Sequence, residues 1–155
     1  AREEALALPG AAEFIAYARE LGVDVFFISN RTLDERDRTL RNLATAGMAV
    51  DSAHLLLYDR PEGTSCKYER RAAASATHEI ILFIGDNLGD YTSLFDRRDS
   101  TLALRLADSL HNDFGRKFIM LPNPMYGEWE NAIYNHNYKL PMAEKNRMMQ
   151  KLLRK

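Results

Sequence analysis

The chain has 155 residues, 46% hydrophobic and 28% charged, with a formal net charge of −1. That length suits one domain able to bury roughly two-thirds of its unfolded surface, and the charge gives no overall field favouring nucleic acid or an anionic membrane. The single cysteine, Cys66, excludes an internal disulfide; no apolar run approaches the ~18 residues of a membrane span, and Ala1-Arg2-Glu3-Glu4 does not read as a signal peptide.

Pro9-Gly10 opens a first helix, with Phe14, Ile15, Ala18 and Leu21 at helical spacing and Gly22 as its stop. Val23 to Ile28 is a short, almost continuous apolar run and reads as a buried parallel strand. Thr32 and Glu35 form a capping box for a helix through Leu40 and Leu43, ending at Gly47. His54 to Tyr58 reads as a second strand. After a loop at Arg60–Gly63, Thr64 or Ser65 is placed to cap a helix reaching about Ala76. Glu79 to Ile84 is a third strand, running into Gly85-Asp86-Asn87. Leu102, Leu106, Leu110 and Phe114 lie four apart before Gly115 and predict a core-facing helix. Lys117 to Leu121 is a last strand, halted by Pro122 and Pro124. From Lys139 the tail holds six basic residues and one acid among Met142, Met148, Met149, Leu152 and Leu153. It reads as a basic amphipathic helix over 139–155, following one domain over 1–138.

Strands alternating with helices imply an α/β fold with a mostly parallel sheet, which gathers its site at the C-terminal ends of the strands. Those ends carry Ser29-Asn30 and Gly85-Asp86-Asn87. Asp86 and Asp90, with a helix starting near Asn87, stand about one turn apart. Such like charges call for a cation or a helix N-terminus, so they read as a Mg²⁺ site, unless Asp86 or Asn87 merely caps the helix. The Ser29 hydroxyl can hold a phosphate oxygen or simply shape a turn. Lys67, in the first turn of its helix, opposes the helix dipole; it is an ammonium aimed at a phosphoryl group or a solvated surface residue. Tyr126 and Trp129 can stack on a planar ligand group or belong to the core. Cys66 stands beside Lys67, but none of the four histidines falls in a pairing motif that would make it a nucleophile. No GxSxG, HExxH, CxxC, Walker A or GxGxxG is present.

The order Ser, then Lys, then Gly-Asp-Asn-x-x-Asp resembles motifs II, III and IV of the haloacid dehalogenase (HAD) superfamily. Leu8-Pro-Gly-Ala11, Phe26-Phe-Ile-Ser-Asn-Arg31, Leu82-Phe-Ile-Gly-Asp-Asn-Leu88, Lys117-Phe-Ile-Met-Leu-Pro-Asn123 and Tyr126-Gly-Glu-Trp129 look like the bacterial class C acid phosphatases. These are cell-envelope lipoprotein acid phosphatases and 5′-nucleotidases. The likeness spans Leu8 to Trp129. It implies a Rossmann-like sheet and two-step phosphoryl transfer through an aspartyl-phosphate, with Mg²⁺ as cofactor and a phosphomonoester, a nucleoside monophosphate above all, as substrate. By position Ser29 and Asn30 would bind the phosphoryl group, Lys67 would neutralise it, Asp86 would ligate Mg²⁺ and Asp90 would orient a metal-bound water. Tyr126 would meet a nucleobase. The resemblance also implies a cell-envelope location through a lipid anchor outside these residues, and leaves a homo-oligomer open.

The superfamily's first motif, Asp-x-Asp-x-Thr, carries the nucleophile, and no Asp-x-Asp occurs in the 155 residues. The expectation is that it lies upstream of Ala1, with its central strand, and that this chain alone neither hydrolyses esters nor completes the sheet. The four residues Ser29, Lys67, Asp86 and Asp90 are then expected to converge on one pocket. Two rivals are a binding module that kept the pocket and lost the nucleophile, and a receiver-type signalling domain. The second is disfavoured by order, since the Gly-Asp-Asn strand follows both Ser29 and Lys67.

Overall fold

The computed structural model describes residues 6–59, 66–137 and 139–153. The chain folds as two compact units, Ala1–His78 and Glu79–Lys155. In each, one pair of parallel strands carries the C-terminal ends on which the candidate residues sit.

In the first unit, helix α1 (Ala11–Glu20) starts after Gly10 and buries Ile15. It ends as the sequence predicts. Gly22 takes φ +78°, its N–H bonds the Arg19 carbonyl (2.9 Å), and the Val23 N–H reaches back to the Ala18 carbonyl (3.0 Å). Helix α2 (Arg36–Thr45) closes in the same way, with Gly47 at φ +76° and the Met48 N–H on the Leu43 carbonyl at 2.8 Å. Both ends use a left-handed glycine to pair the last free carbonyls. Gly47 has a second reason to lack a side chain: a Cβ there would stand 3.3 Å from the Ala12 Cβ. At the start of α2, the Glu35 carboxylate accepts from the Thr32 N–H (3.0 Å) and hydroxyl (3.2 Å).

Strand β1 is Phe27–Thr32, later than the expected 23–28. Its partner decides this. Strand β2 (Leu55–Tyr58) begins at Leu55, so the parallel ladder starts at Phe27↔Leu55 and leaves Val23–Phe26 without a partner in it. The register runs through Ile28↔Leu56 and Ser29↔Leu57, then shifts before Thr32↔Tyr58. Asn30 and Arg31 are the bulged residues, a device that re-aims side chains beside sites. Leu55 (1% exposed) and Leu57 face the core. Helix α3 (Tyr68–Ser75) buries Arg70, Arg71 and Ala74. The loop at Arg60–Gly63 and the cap at Thr64 or Ser65 fall outside the described residues.

In the second unit, strand β3 (Phe83–Gly85) pairs in parallel with β4 (Phe118–Met120), in the register Phe83↔Phe118, Ile84↔Ile119, Gly85↔Met120. The ladder is shorter than the apolar run at 79–84 suggests, because β4 offers only three partners. The Phe83 N–H to the Lys117 carbonyl (2.7 Å) and the Leu121 N–H to the Gly85 carbonyl (2.8 Å) close its ends. Among the described residues, β1 pairs with β2 and β3 with β4, in two separate sheets. Tyr91 stacks on Phe118 at 4.9 Å, and Phe114 meets both rings edge-on at 5.9 and 5.6 Å.

Helix α4 (Ser100–Ser109), capped by the Asp99 carboxylate on the Leu102 N–H (2.9 Å), corrects the sequence reading. It buries no residue and stops before Leu110. Residues four apart advance about 40° around a helix at each step, so a long four-spaced set winds off any one face. Phe114 instead reaches the core through a bridge to Phe118. Helices α5 (Glu128–Ile133) and α6 (Met142–Leu153) follow. The Lys145 ammonium lies 5.2 Å above the Tyr134 ring. No helix among the described residues is long and apolar enough to cross a membrane.

Candidate functional site

At the C-terminal end of the β1/β2 pair, the bulge after Ser29 frees the chain from the ladder, and a buried arginine fixes it there. Arg70 of α3, only 6% exposed, donates through Nη1 to the Ser29 carbonyl and through Nη2 to the Asn30 side-chain oxygen (2.8 Å). Its Nη2 also reaches the Cys66 carbonyl (3.1 Å), and its guanidinium lies 5.9 Å from the Tyr58 ring centre. One planar cation thus binds the Ser29-Asn30 turn to the entry of α3, which a flexible ammonium could not do with the same geometry. The Ser29 hydroxyl accepts from the Arg31 N–H (3.2 Å). Ser29 also lines a cavity of about 250 Å³ with Phe27, Arg31, Thr39, Leu43 and Leu55.

Lys67 is half-buried and sits one position earlier than expected, at the N-cap of α3 rather than in its first turn. Its carbonyl accepts from the Arg71 N–H (3.0 Å), so the side chain still stands at the positive end of the helix. Arg70 was missed in the sequence. It reads as one charge of a polar helix face, and only the contact across forty residues reveals its partners.

At the end of β3, Gly85-Asp86-Asn87 leads into short 3₁₀ turns at Leu88–Asp90 and Ser93–Phe95, not the helix expected from Asn87. Asp90 folds back, and its Oδ2 accepts from the N–H groups of Asp86 and Asn87, both at 3.1 Å. One oxygen of Asp90 thus caps the turn, a role that the sequence reading gave to Asp86 or Asn87. It also explains Gly85: a Cβ there would collide with the Asp90 carboxylate. Tyr91, 3% exposed, bridges the strand ends, its hydroxyl 2.9 Å from both the Gly85 and Ile119 carbonyls. Burial, then the nearby charges of Asp90 and Asp86, push its pKa up to about 12.

The Asp86 carboxylate is held differently. Oδ2 accepts from the Asn123 amide at 2.6 Å and Oδ1 from the Asn87 amide at 3.2 Å. Both donors are neutral, so they orient the carboxylate without cancelling its charge. A half-buried, oriented carboxylate at a strand end fits Mg²⁺, which takes one or two protein carboxylates and retains waters. Asn123 had no role in the sequence reading; its signal was a polar residue between two prolines at the end of a neighbouring parallel strand.

Asn87 and Asn123 extend the network. The Asn87 oxygen accepts from the Glu128 N–H (3.0 Å), and the Asn123 carbonyl accepts from the Trp129 indole N–H (3.1 Å). Gly127 makes this possible. It has φ +153°, and a Cβ would collide with the Asn87 oxygen and stand 3.1 Å from Trp129 Cδ1. Trp129 is 46% exposed and Tyr126 65% exposed, so neither is a core residue.

The HAD superfamily, subfamily IIIB (acid phosphatase) family model matches residues 1–129. The structure of the class C acid phosphatase from Bacillus anthracis superposes with a TM-score of 0.90 at 41% identity, covering 96% of this chain and 62% of that one. The same enzyme with tungstate bound gives a TM-score of 0.90 at 42% identity over the same shares. The chain thus spans less than two-thirds of the length of these solved structures.

Proposed function

We propose that the whole protein is a magnesium-dependent phosphomonoester hydrolase, from the premise that this chain belongs to the acid phosphatases of HAD superfamily subfamily IIIB. The observation that carries the reading is Asp86: a carboxylate at a parallel strand end, oriented by the neutral amides of Asn87 and Asn123. That a relative takes up tungstate, a tetrahedral oxyanion, supports a phosphate-shaped ligand.

In this reading Ser29 donates its hydroxyl to a phosphoryl oxygen, and Asn30 binds beside it while Arg70 holds the turn. Lys67 places a positive charge against the transferring group, where charge stabilisation dominates catalysis. Asp86 would hold Mg²⁺, which when bound supplies charge neutralisation to the phosphoryl oxygens. Asp90 would orient a water through the carboxylate whose other oxygen caps the turn. The nucleophile is an aspartate of the family's first motif, outside these 155 residues; β1 and β3 each pair along one edge among the described residues, which supports a further strand in the whole protein.

The substrate class is a nucleoside monophosphate, with the exposed faces of Tyr126 and Trp129 stacking on the base. Stacking contributes roughly 1–3 kcal/mol per base and tolerates any base. The whole protein, assayed on purine and pyrimidine monophosphates beside an aliphatic phosphate, is expected to show broad base preference. Tyr126→Ala or Trp129→Ala should raise KM for nucleotides by about tenfold and leave the aliphatic ester unchanged. Equal kinetics on all substrates in both variants would remove the nucleotide and leave a general phosphatase; no hydrolysis of any ester would favour a binding module. We also propose a cell-envelope location through a lipid anchor, read by membrane fractionation of the whole protein.

A further inference from the structure

The first unit brings together three residues that no sequence motif connects. Asp24 stands three positions before β1, His54 immediately before β2, and His78 three positions after α3. Because β1 and β2 run parallel, Asp24 and His54 lie at the N-terminal end of the pair, the end away from Ser29. One ligand atom from each of the three lies within 4.8 Å of the others.

We propose that Asp24, His54 and His78 form a binding site for a transition-metal cation of the Zn²⁺ class, with a ligand set that shares no residue with Asp86 and Asp90. Two imidazoles and one carboxylate suit Zn²⁺ or Co²⁺ and not Mg²⁺, which prefers oxygen alone. The supporting contacts are those of a metal site. The Asp51 carboxylate engages His54 Nδ1 at 2.8 Å and is itself fixed by the N–H groups of Ala53 (2.9 Å) and His54 (3.0 Å). This leaves His54 Nε2 as the nitrogen available to a metal. On His78, Nδ1 lies 2.7 Å from the Thr77 hydroxyl, which donates onward to the Ala74 carbonyl at 3.4 Å. His78 Nε2 itself stands 3.1 Å from Asp24 Oδ2, which places the two ligand atoms side by side. An imidazole nitrogen and a carboxylate oxygen this close can hold a metal ion in place of the shared proton. Oxygen partners on the outer ring nitrogen are what hold ligating histidines in place.

The Phe26 ring packs on both imidazoles, at 4.6 Å from His54 and 5.0 Å from His78, and limits their rotation. Donors around a four-coordinate Zn²⁺ at about 2.0–2.1 Å stand roughly 3.3 Å apart. The Asp24–His78 pair already meets that spacing, and His54 closes the remainder by a side-chain shift. The side chains are 60%, 36% and 26% exposed for Asp24, His78 and His54, so the shift disturbs no core. Three protein ligands leave a fourth position to water. The site ties the entry of both strands to the exit of α3 and acts as a staple for this unit.

The test titrates the protein with Zn²⁺ alone and with Co²⁺ alone, in excess Mg²⁺ and in the Asp86→Asn background, so that the oxygen-rich site does not report. The expected result is one equivalent bound and a rise in unfolding temperature on the order of 5 °C that EDTA reverses. Co²⁺ should show the visible bands of a four-coordinate ion. His54→Gln, His78→Gln and Asp24→Asn should each weaken binding at least tenfold with unchanged far-ultraviolet circular dichroism. X-ray absorption of the Zn²⁺ form, which needs no further variant, should show two imidazoles in the first shell. No saturable binding, unweakened binding in all three variants, or an all-oxygen shell would overturn the proposal.

Discussion

Tyr91 shows how much of the second unit hangs on one hydroxyl. It bridges Gly85, the last residue of β3, and Ile119, the middle residue of β4, beside the Asp86 carboxylate. Tyr91→Phe should cost about 1 kcal/mol, since the Gly85 carbonyl keeps its bond from the Leu121 N–H. The direction with pH follows from its folded pKa of about 12, raised above the ordinary 10. The unfolded chain loses the phenolic proton first, so the stabilisation is complete below pH 10 and is lost as pH rises from about 10 to 12. Denaturant unfolding of wild type and Tyr91→Phe across that range should show the gap between them shrinking; a constant gap would contradict it. Gly127 is a second such residue. Gly127→Ala meets a positive φ and the Asn87 oxygen together, and should lower stability by about 1–3 kcal/mol, read as a fall in the unfolding midpoint. A midpoint equal to wild type would show that Asn87 does not need this approach.

At the scale of elements, the local punctuation was legible and the pairing was not. Gly22 and Gly47 announced the ends of α1 and α2 because a left-handed residue after an apolar periodic run has few other uses. The bounds of β1 were misread, since Val23 and Val25 carry strand propensity but no ladder partner; β2 sets where pairing begins. Asp90 was legible as one of an acidic pair, but its capping bonds were not, because they depend on Gly85 leaving room for its carboxylate. Asn123 and Arg70 act across 37 and 41 residues, on Asp86 and Ser29, distances over which no periodicity carries information. Arg70 gives the element-scale prediction. Arg70→Met keeps the aliphatic volume but strands the Ser29 carbonyl and the Asn30 oxygen, and should destabilise the first unit by about 2–4 kcal/mol. Arg70→Lys should recover only part of that, because an ammonium cannot reproduce the planar fork. Chemical denaturation of the three proteins reads the difference; full recovery by lysine would show that charge alone matters.

For the whole molecule, the order of Ser29, Lys67 and Gly85-Asp86-Asn87-x-x-Asp90 carried the family, and the family model and the Bacillus anthracis structures agree with it. What these residues do together is the central claim, and Asp86 is where it is most exposed to test. The whole protein should hydrolyse a chromogenic phosphomonoester only with a divalent cation, and lose activity to EDTA and regain it with Mg²⁺. Asp86→Asn preserves the volume and an oxygen while removing the charge. It should lower kcat by about 10²–10³-fold, the loss typical of a charge-stabilising group, with an unfolding midpoint near wild type. Hydrolysis that survives EDTA, or an Asp86→Asn enzyme within a few-fold of wild type at saturating Mg²⁺, would contradict the account.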